Sequence, residues 1–419
     1  MRRMKDSGIE WIGEIPEDWE IARLRFLCDI NTGDKDAINA EKEGEYPFYV
    51  RSPIVERIST YSYDGEAILI AGDGVGAGKV FHYINGKFDY HQRVYNVHKF
   101  KNILGKYLYY YMAENFCKEI EKGNAKSTVD SIRLPMLMNF PIAFGKTAEQ
   151  QIISDYLDEK CIKIDTTIEK QNAVIEKLKS YKQSLITEAV TKGLDKTARM
   201  KDSGIEWIGE IPEWWEVRKM KFMGELSSNG VDKKIQVEEP LYKSIHYMDV
   251  YRNSIKEIYD SEEYLIVSAN VNKAKCCNLE KGDVLFTNSS ETPNDIGHCT
   301  VIKDTLPNTL FGYHLMRFRP NIKMCLEYEK YLFGAFYLRN WFCYRANGMT
   351  RYGLSGNDFS DAVVPLPKSE EQQVIADYLD NKCNKIDKIL VQKQKLIEKL
   401  ETYKKSLIYE AVTGKIEIK

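Results

Sequence analysis

The chain has 419 residues, of which 43% are apolar and 29% charged, with a formal charge of −2. That length exceeds one ordinary core, and the composition is that of a soluble globular protein. The near-neutral balance gives no bulk basic signal, so any nucleic-acid contact must come from particular Lys and Arg groups.

The first 20 residues form an opening segment. Within it MKDSGIEWIGEIPEDWE at Met4–Glu20 returns as MKDSGIEWIGEIPEWWE at Met200–Glu216, with only Asp18 and Trp214 differing. Pro16 disfavours helix at Ile15. Trp11, Ile12, Ile15 and Trp19 predict an extended or turn-rich segment docked on a core.

Residues 21–146 form a first variable domain. Strand-like runs are Tyr46–Val50, Ala67–Ala71, Val80–Ile84 and Val94–Val97, and Asn85-Gly86 predicts a hairpin turn. Leu104–Lys122 carries helical apolar spacing at Leu108, Tyr111, Met112 and Phe116. Tyr107, Tyr109, Tyr110 and Tyr111 on that helix read as core and rim packing.

Residues 147–193 form a long helix, and 368–419 another. Glu149–Thr191 recurs 222 positions later as Glu371–Thr413, with 26 of 43 positions identical. Thr147 and Gln150 suggest a capping box. A heptad seam with two polar positions, Gln171 and Lys182, runs through Ile164, Ile168, Ile175, Leu178 and Leu185. Its repeat is Ile386, Leu390, Ile397, Leu400 and Leu407. One such helix cannot bury its seam alone, so the two copies are expected to pair. Asp165 to Val190 spans 26 residues, roughly 39 Å at 1.5 Å per residue.

Residues 194–216 repeat the opening segment, and 217–367 form a second variable domain. Strand-like runs are Tyr264–Val267, Asp283–Asn288 and Cys299–Ile302, and Met324–Phe342 predicts a helix. The closing pieces of the two variable domains are weakly alike: Thr128 aligns with Thr350, Ile132 with Leu354 and Leu137 with Phe359. The fold class is therefore α+β, one plan used twice with unlike inserts.

Several motifs bear on chemistry. AGDGVGAGKV at Ala71–Val80 has Asp73 and Val80 where a phosphate loop needs Gly and Ser or Thr. It leads into a strand rather than a helix, so neither nucleotide motif fits. Glycine would let this backbone approach a ligand closely. Gly74 and Lys79, with His91, Gln92 and Arg93 downstream, therefore make a candidate groove- or phosphate-contacting loop. Lys126 and Ser127 belong to the same candidate set. In the second domain Asn288, Ser289, Ser290 and Thr292 offer hydrogen bonds to bases or phosphates. Thr350, Arg351 and Tyr352 combine a hydroxyl, a planar cation that suits guanine, and a stacking ring. No HxH or HxxxH spacing supports a metal, and no catalytic constellation assembles. Nine scattered cysteines without a CxxC pair suit free thiols in a reducing cytoplasm. MRRMKDSGIEW lacks the apolar core of a secretory signal, and no apolar run is long enough to span a membrane.

SGIEWIGEIPEDWE, MTRYGLSGNDFSDAVVPLP and EQQVIADYLDNKCNKID followed by IEKLETYKKSLIYEAVTGK resemble the specificity subunit of type I restriction–modification systems. The resemblance spans the whole chain in the family's order. It implies two globular target-recognition domains separated by two long antiparallel coiled-coil helices, with an internal pseudo-twofold repeat. It further implies that each variable domain reads one half of an asymmetric bipartite target in double-stranded DNA. The helices would set the spacing, since roughly 39 Å is close to one duplex turn of about 34–36 Å. They would also dock two modification subunits. No cofactor is expected in this chain. S-adenosylmethionine, ATP and Mg belong to the modification and the restriction (motor and nuclease) subunits. The chain itself is expected to be non-catalytic, matching its lack of a (D/N/S)PP(Y/F/W) motif. Two rival readings are a coiled-coil scaffold that binds protein alone and a DNA-modifying enzyme with an unrecognised active site.

Overall fold

The computed structural model describes residues 2–123 and 131–418. They divide into two compact units: Met1–Asn172 with Lys393–Lys419, and Ala173–Gln392. Each unit thus takes one opening segment, one variable domain, and a stretch of both long helices.

In the first unit the opening segment is a hairpin, Met4–Asp6 against Glu14–Pro16. Ile12, Ile15 and Trp19 are buried, and the Trp19 indole N–H donates to Glu149 at 2.9 Å. The strand that follows, Glu20–Arg23, pairs antiparallel with Pro141–Phe144. The start of the variable domain is so tied to its end. Between them lies a six-stranded sheet in the order Asp29–Thr32, Val94–His98, Tyr63–Ala71, Phe81–Tyr90, Tyr46–Tyr49, Glu56–Ile58.

The Asn85-Gly86 turn is a misreading. Both residues lie inside the strand Phe81–Tyr90, and Gly86 pairs with Gly65 of Tyr63–Ala71. A type I′ turn needs a positive φ at Asn as well as Gly; of Asn85 and Gly86 only Gly86 has one. The Tyr63 ring lies across Gly65 instead of a side chain there. The true connection between the two strands is the glycine-rich loop that follows Ala71.

The helix Gly105–Gly123 packs on the sheet. Its tyrosines are structural: Tyr107 Oη lies 2.8 and 2.9 Å from the carbonyls of Ala143 and Val412, its one proton shared between them, and Tyr110 Oη donates to Asp158 at 2.6 Å. Burial, and then Asp158 itself, push the Tyr110 phenol well above its ordinary range.

The first long helix is Thr147–Lys192 and the second Ser369–Val412. Thr147 is already helical, and the free N–H groups of Glu149 and Gln150 bond to the Lys146 carbonyl. Gln150 does not close a capping box. It is fully buried, accepts from Leu104 N at 2.8 Å and donates to the Gly145 carbonyl at 2.9 Å. Gln372 repeats this with Cys325 N and the Pro367 carbonyl. A buried amide between two loops is satisfied on both of its ends, which a cap at a solvent-exposed helix start would not achieve.

The helices run antiparallel. In the first unit Ile164 and Leu407 are buried in one core, with Ile168 and Leu400 at its edge. Beside them Lys404 Nζ bonds both Asp165 oxygens at 2.6 and 2.7 Å. In the second unit Leu185 and Ile386 share a core edged by Leu178 and Leu390, and Lys182 bonds Asp387 at 2.6 Å. Lys182 and Lys404 are repeat equivalents, as are Asp165 and Asp387. The polar seam position at Lys182 is therefore half of a bridge made once in each unit. Ile175 and Ile397 are buried as well.

The second unit repeats the frame: a hairpin of Met200–Asp202 and Glu210–Pro212, Trp215 N–H on Glu371 at 3.0 Å, and Glu216–Lys219 paired with Val363–Leu366. Its insert differs. A five-stranded sheet runs in the order Gly224–Ser227, Leu315–Pro320, Val284–Thr287, Cys299–Ile302, Glu257–Ile258. A three-stranded one runs Leu265–Ser268, Leu241–Ile245, Thr309–Phe311. The helix expected over 324–342 is broken into Leu326–Phe333 and Phe336–Arg345. Lys256 Nζ takes the Gly334 carbonyl at 2.9 Å, a group that a continuous helix would have used itself.

Glu329, buried in this unit, has an Oε2 without a partner. Burial pushes its carboxyl up to about 8. The folded state therefore holds a proton that the unfolded chain releases near the ordinary carboxylate value. Stability is intact at low pH and is lost as pH rises towards 8. Glu329→Gln is expected to raise the stability of this unit by about 3–5 kcal/mol at pH 8, and not at pH 4. Urea melts at both values check this; an equal gain at both would mean that packing, not protonation, is responsible.

Candidate nucleic-acid interface

In the first unit the glycine-rich loop, residues 72–80, is clamped by the closing piece: Ile132 N donates to the Gly72 carbonyl at 2.7 Å. Its glycines serve close approach. A Cβ on Gly76 would lie 2.5 Å from the Arg51 carbonyl oxygen, and one on Gly72 would lie 2.9 Å from that of Arg93. Between them Asp73 accepts from both guanidinium groups, from Arg51 at 2.9 Å and from Arg93. Burial raises the Asp73 carboxyl, but the two arginine hydrogen bonds outweigh it and hold it below its ordinary value. Gly74 has a φ of +71° with open space where a Cβ would stand, and Val75 beside it is 91% exposed. Lys79 is exposed on the same loop.

Three of the predicted contacts in this unit gather here: Gly74, Lys79 and Arg93. Gln92 is exposed and donates to Asp36 at 2.9 Å. His91 is corrected. It is buried, and its Nδ1 accepts from the Arg93 backbone N–H at 2.9 Å. Burial, with Arg51 nearby, lowers its pKa, so it is a neutral prop for the turn rather than a presented side chain. Lys126 and Ser127 lie outside the described residues, as does Thr128.

The second unit builds the same clamp from different residues. Leu354 N, the repeat equivalent of Ile132, donates to the Asn288 carbonyl at 2.9 Å. Ser289 and Ser290 pair antiparallel with Gly353 and Tyr352. The structure thereby brings together two stretches that lie about 60 residues apart in sequence. Thr292, Thr350 and Arg351 are exposed; Asn288 and Tyr352 are half-buried. Ser289 and Ser290 are buried, and Ser290 Oγ accepts from the Thr292 backbone N–H at 3.4 Å, so neither presents an open side chain. Next to the loop Asp295 accepts from Tyr251 Oη at 2.5 Å and lies 2.7 Å from His298 Nε2. Tyr247 stacks on Tyr251 with ring centroids 5.5 Å apart. Burial, and then Arg339, keep the His298 pKa low. Asp295 feels burial upward, but the Tyr251 and His298 contacts carry it below its ordinary value.

A protein family described as the type I restriction modification DNA specificity domain matches residues 16–177 and again 212–399. The chain belongs to this family. The MjaVIII specificity subunit of Methanocaldococcus jannaschii is 25% identical over 97% of the chain and 94% of that protein. The EcoDI specificity subunit of Escherichia coli is 29% identical over 46% of the chain and 42% of that protein. Among solved structures, a chain from a study of complex assembly and conformational transition of the type I R-M system superposes with a TM-score of 0.70. It covers 96% of this chain and 99% of that one at 13% identity, which establishes a shared fold. The two matched regions of this type I specificity subunit each contain one clamp. Among its described residues no group of three or more His, Cys, Asp or Glu is placed to hold a metal ion. No described helix is long and apolar enough to cross a membrane.

Sequence reading of the specificity subunit missed Arg51, Asp73, Tyr247 and Asp295. Arg51 and Asp73 are 22 positions apart, and no local spacing signals their pairing. The Gly76 approach to Arg51 was legible only as a glycine-rich turn.

Proposed function

We propose that this chain is the sequence-reading, non-catalytic subunit of a type I restriction–modification complex. Each unit reads one half of an asymmetric bipartite duplex target. The observation that carries this is the pair of clamps. One backbone arrangement, Ile132 on Gly72 and Leu354 on Asn288, presents unlike side chains: arginines beside a glycine-rich loop in one unit, a Thr, Arg and Tyr set in the other. Like scaffolds with unlike contacts read unlike half-sites.

The long helices are read as docking surfaces for two modification subunits. In support, the first unit exposes Ile152, Leu396 and Tyr403, and the second exposes their repeat equivalents Val374, Val174 and Tyr181. A repeated apolar trio suits two copies of one partner. S-adenosylmethionine would reside in those modification subunits, and ATP and Mg in the restriction subunits. None of the nine cysteines forms a disulfide, which suits a reducing cytoplasm.

Mapping methylated adenines in DNA exposed to the reconstituted complex tests the reading. Two different motifs at fixed spacing are expected. A single palindromic motif would show that the units do not read separately.

A further inference from the structure

Asp73 is only 14% exposed, whereas the side chains of Arg51 and Arg93 are 45% and 62% exposed. The two arginines come from separate elements. Arg51 follows the strand Tyr46–Tyr49, and Arg93 sits in the turn before Val94–His98. They are brought to one carboxylate by a loop whose glycines admit both backbones. An ordinary surface ion pair needs no such construction and is worth little. Each guanidinium uses Nη1 on Asp73. The Nε and Nη2 edge of each makes no other hydrogen bond among the described residues. Two cations on one anion leave a net positive charge at this contact, and each guanidinium keeps a planar edge open. Parallel donors about this far apart match O6 and N7 of guanine in the major groove. The equivalent loop position in the second unit is the buried Ser289, so nothing comparable is built there.

We propose that Asp73 holds Arg51 and Arg93 as a guanine-reading fork, so that the half-target of the first unit contains guanine gripped at its major-groove edge. This rests on the reading of the chain as a DNA-recognising subunit. Asp73 is a positioning residue, and the two arginines are the contacts.

The test uses the reconstituted complex on its mapped target, with each guanine of both halves replaced in turn by 7-deazaguanine, which lacks the N7 acceptor. The wild type is expected to lose affinity about 2- to 12-fold at one or two guanines of the half that the first unit reads, one of the two hydrogen bonds of a bidentate pair being removed. Arg51→Ala with Arg93→Ala should lose more than that factor on the natural target, because the O6 contacts go as well, and should bind guanine and 7-deazaguanine targets equally. Arg93→Lys should not restore discrimination, because an ammonium has no planar edge. Asp73→Asn should reduce the discrimination between guanine and 7-deazaguanine without altering thermal unfolding. Tolerance of 7-deazaguanine at every position would overturn the proposal. So would an equal loss on random-sequence DNA, which marks a phosphate contact. Sequence-specific binding with unaffected arginine variants would sink the fork alone; a wild-type complex without any sequence preference would sink the functional reading along with it.

Discussion

Trp19→Ala is expected to remove a large share of the stability of the first unit. The indole is 1% exposed. A Cβ on Gly145 would lie 2.5 Å from its Nε1, and one on Gly414 would lie 3.1 Å from its far edge. Trp19 thus fills the space between the end of the variable domain and the end of the second long helix. Truncation of a buried Trp costs about 3–5 kcal/mol. The Nε1 bond to Glu149 is lost too, although Arg2 still pairs with that carboxylate. Against a total of about 5–15 kcal/mol for a domain, the loss is a large share. Thermal unfolding of the unit should fall by about 10 °C or more. Trp19→Phe should recover most of it, since volume outweighs one hydrogen bond. Hydrogen exchange should lose protection in Gly105–Gly123, whose Tyr107 ring packs edge-on against the indole. A Phe variant as unstable as the Ala variant would mean that the Glu149 bond, not packing, closes the frame.

The same residue shows why the frame was legible. Pro16 and the apolar positions around it left few options beyond a docked extended segment, and its recurrence in Met200–Glu216 located both copies. The long helices were legible because a seven-residue period persists through Ile164 and Leu185 and again through Ile386 and Leu407. Local signals failed where tertiary pairing decides. Asn85-Gly86 carries turn chemistry, but pairing with Gly65 absorbs it into a strand. Gln150 resembles a capping residue, but burial beside Leu104 and Gly145 gives it better partners. Met324–Phe342 reads as one helix until Lys256, nearly 80 positions away, takes the Gly334 carbonyl. The contact face was half legible for the same reason. Arg93 and Thr350 are visible as exposed-type residues in loops, whereas the burial of His91, Ser289 and Ser290 depends on partners distant in sequence, Lys35 and Tyr49 for His91 and Tyr352–Gly353 for the two serines.

Seven residues inserted between Asn172 and Ala173, with seven more between Gln392 and Lys393, are expected to lengthen the spacer of the methylated target. Both breaks fall at the boundary between the compact units. Each unit therefore keeps its own bridge, Lys404 with Asp165 or Lys182 with Asp387, and its own core. A heptad preserves the seam and adds about 10 Å of helix. At about 3.4 Å per base pair that is close to three base pairs. The half-motifs themselves should be unchanged, because the clamps are untouched. Affinity should fall, since three base pairs turn the duplex by about 100° while a heptad rotates the helix face by only about 20°. The mismatch must be absorbed as DNA twist. Three heptads add about 32 Å, close to a full duplex turn of about 34–36 Å, and should recover much of the loss. Methylation mapping reads both spacing and motif. A spacer that stays the same length after the insertion would show that the helices hold the units without measuring the distance between their half-sites.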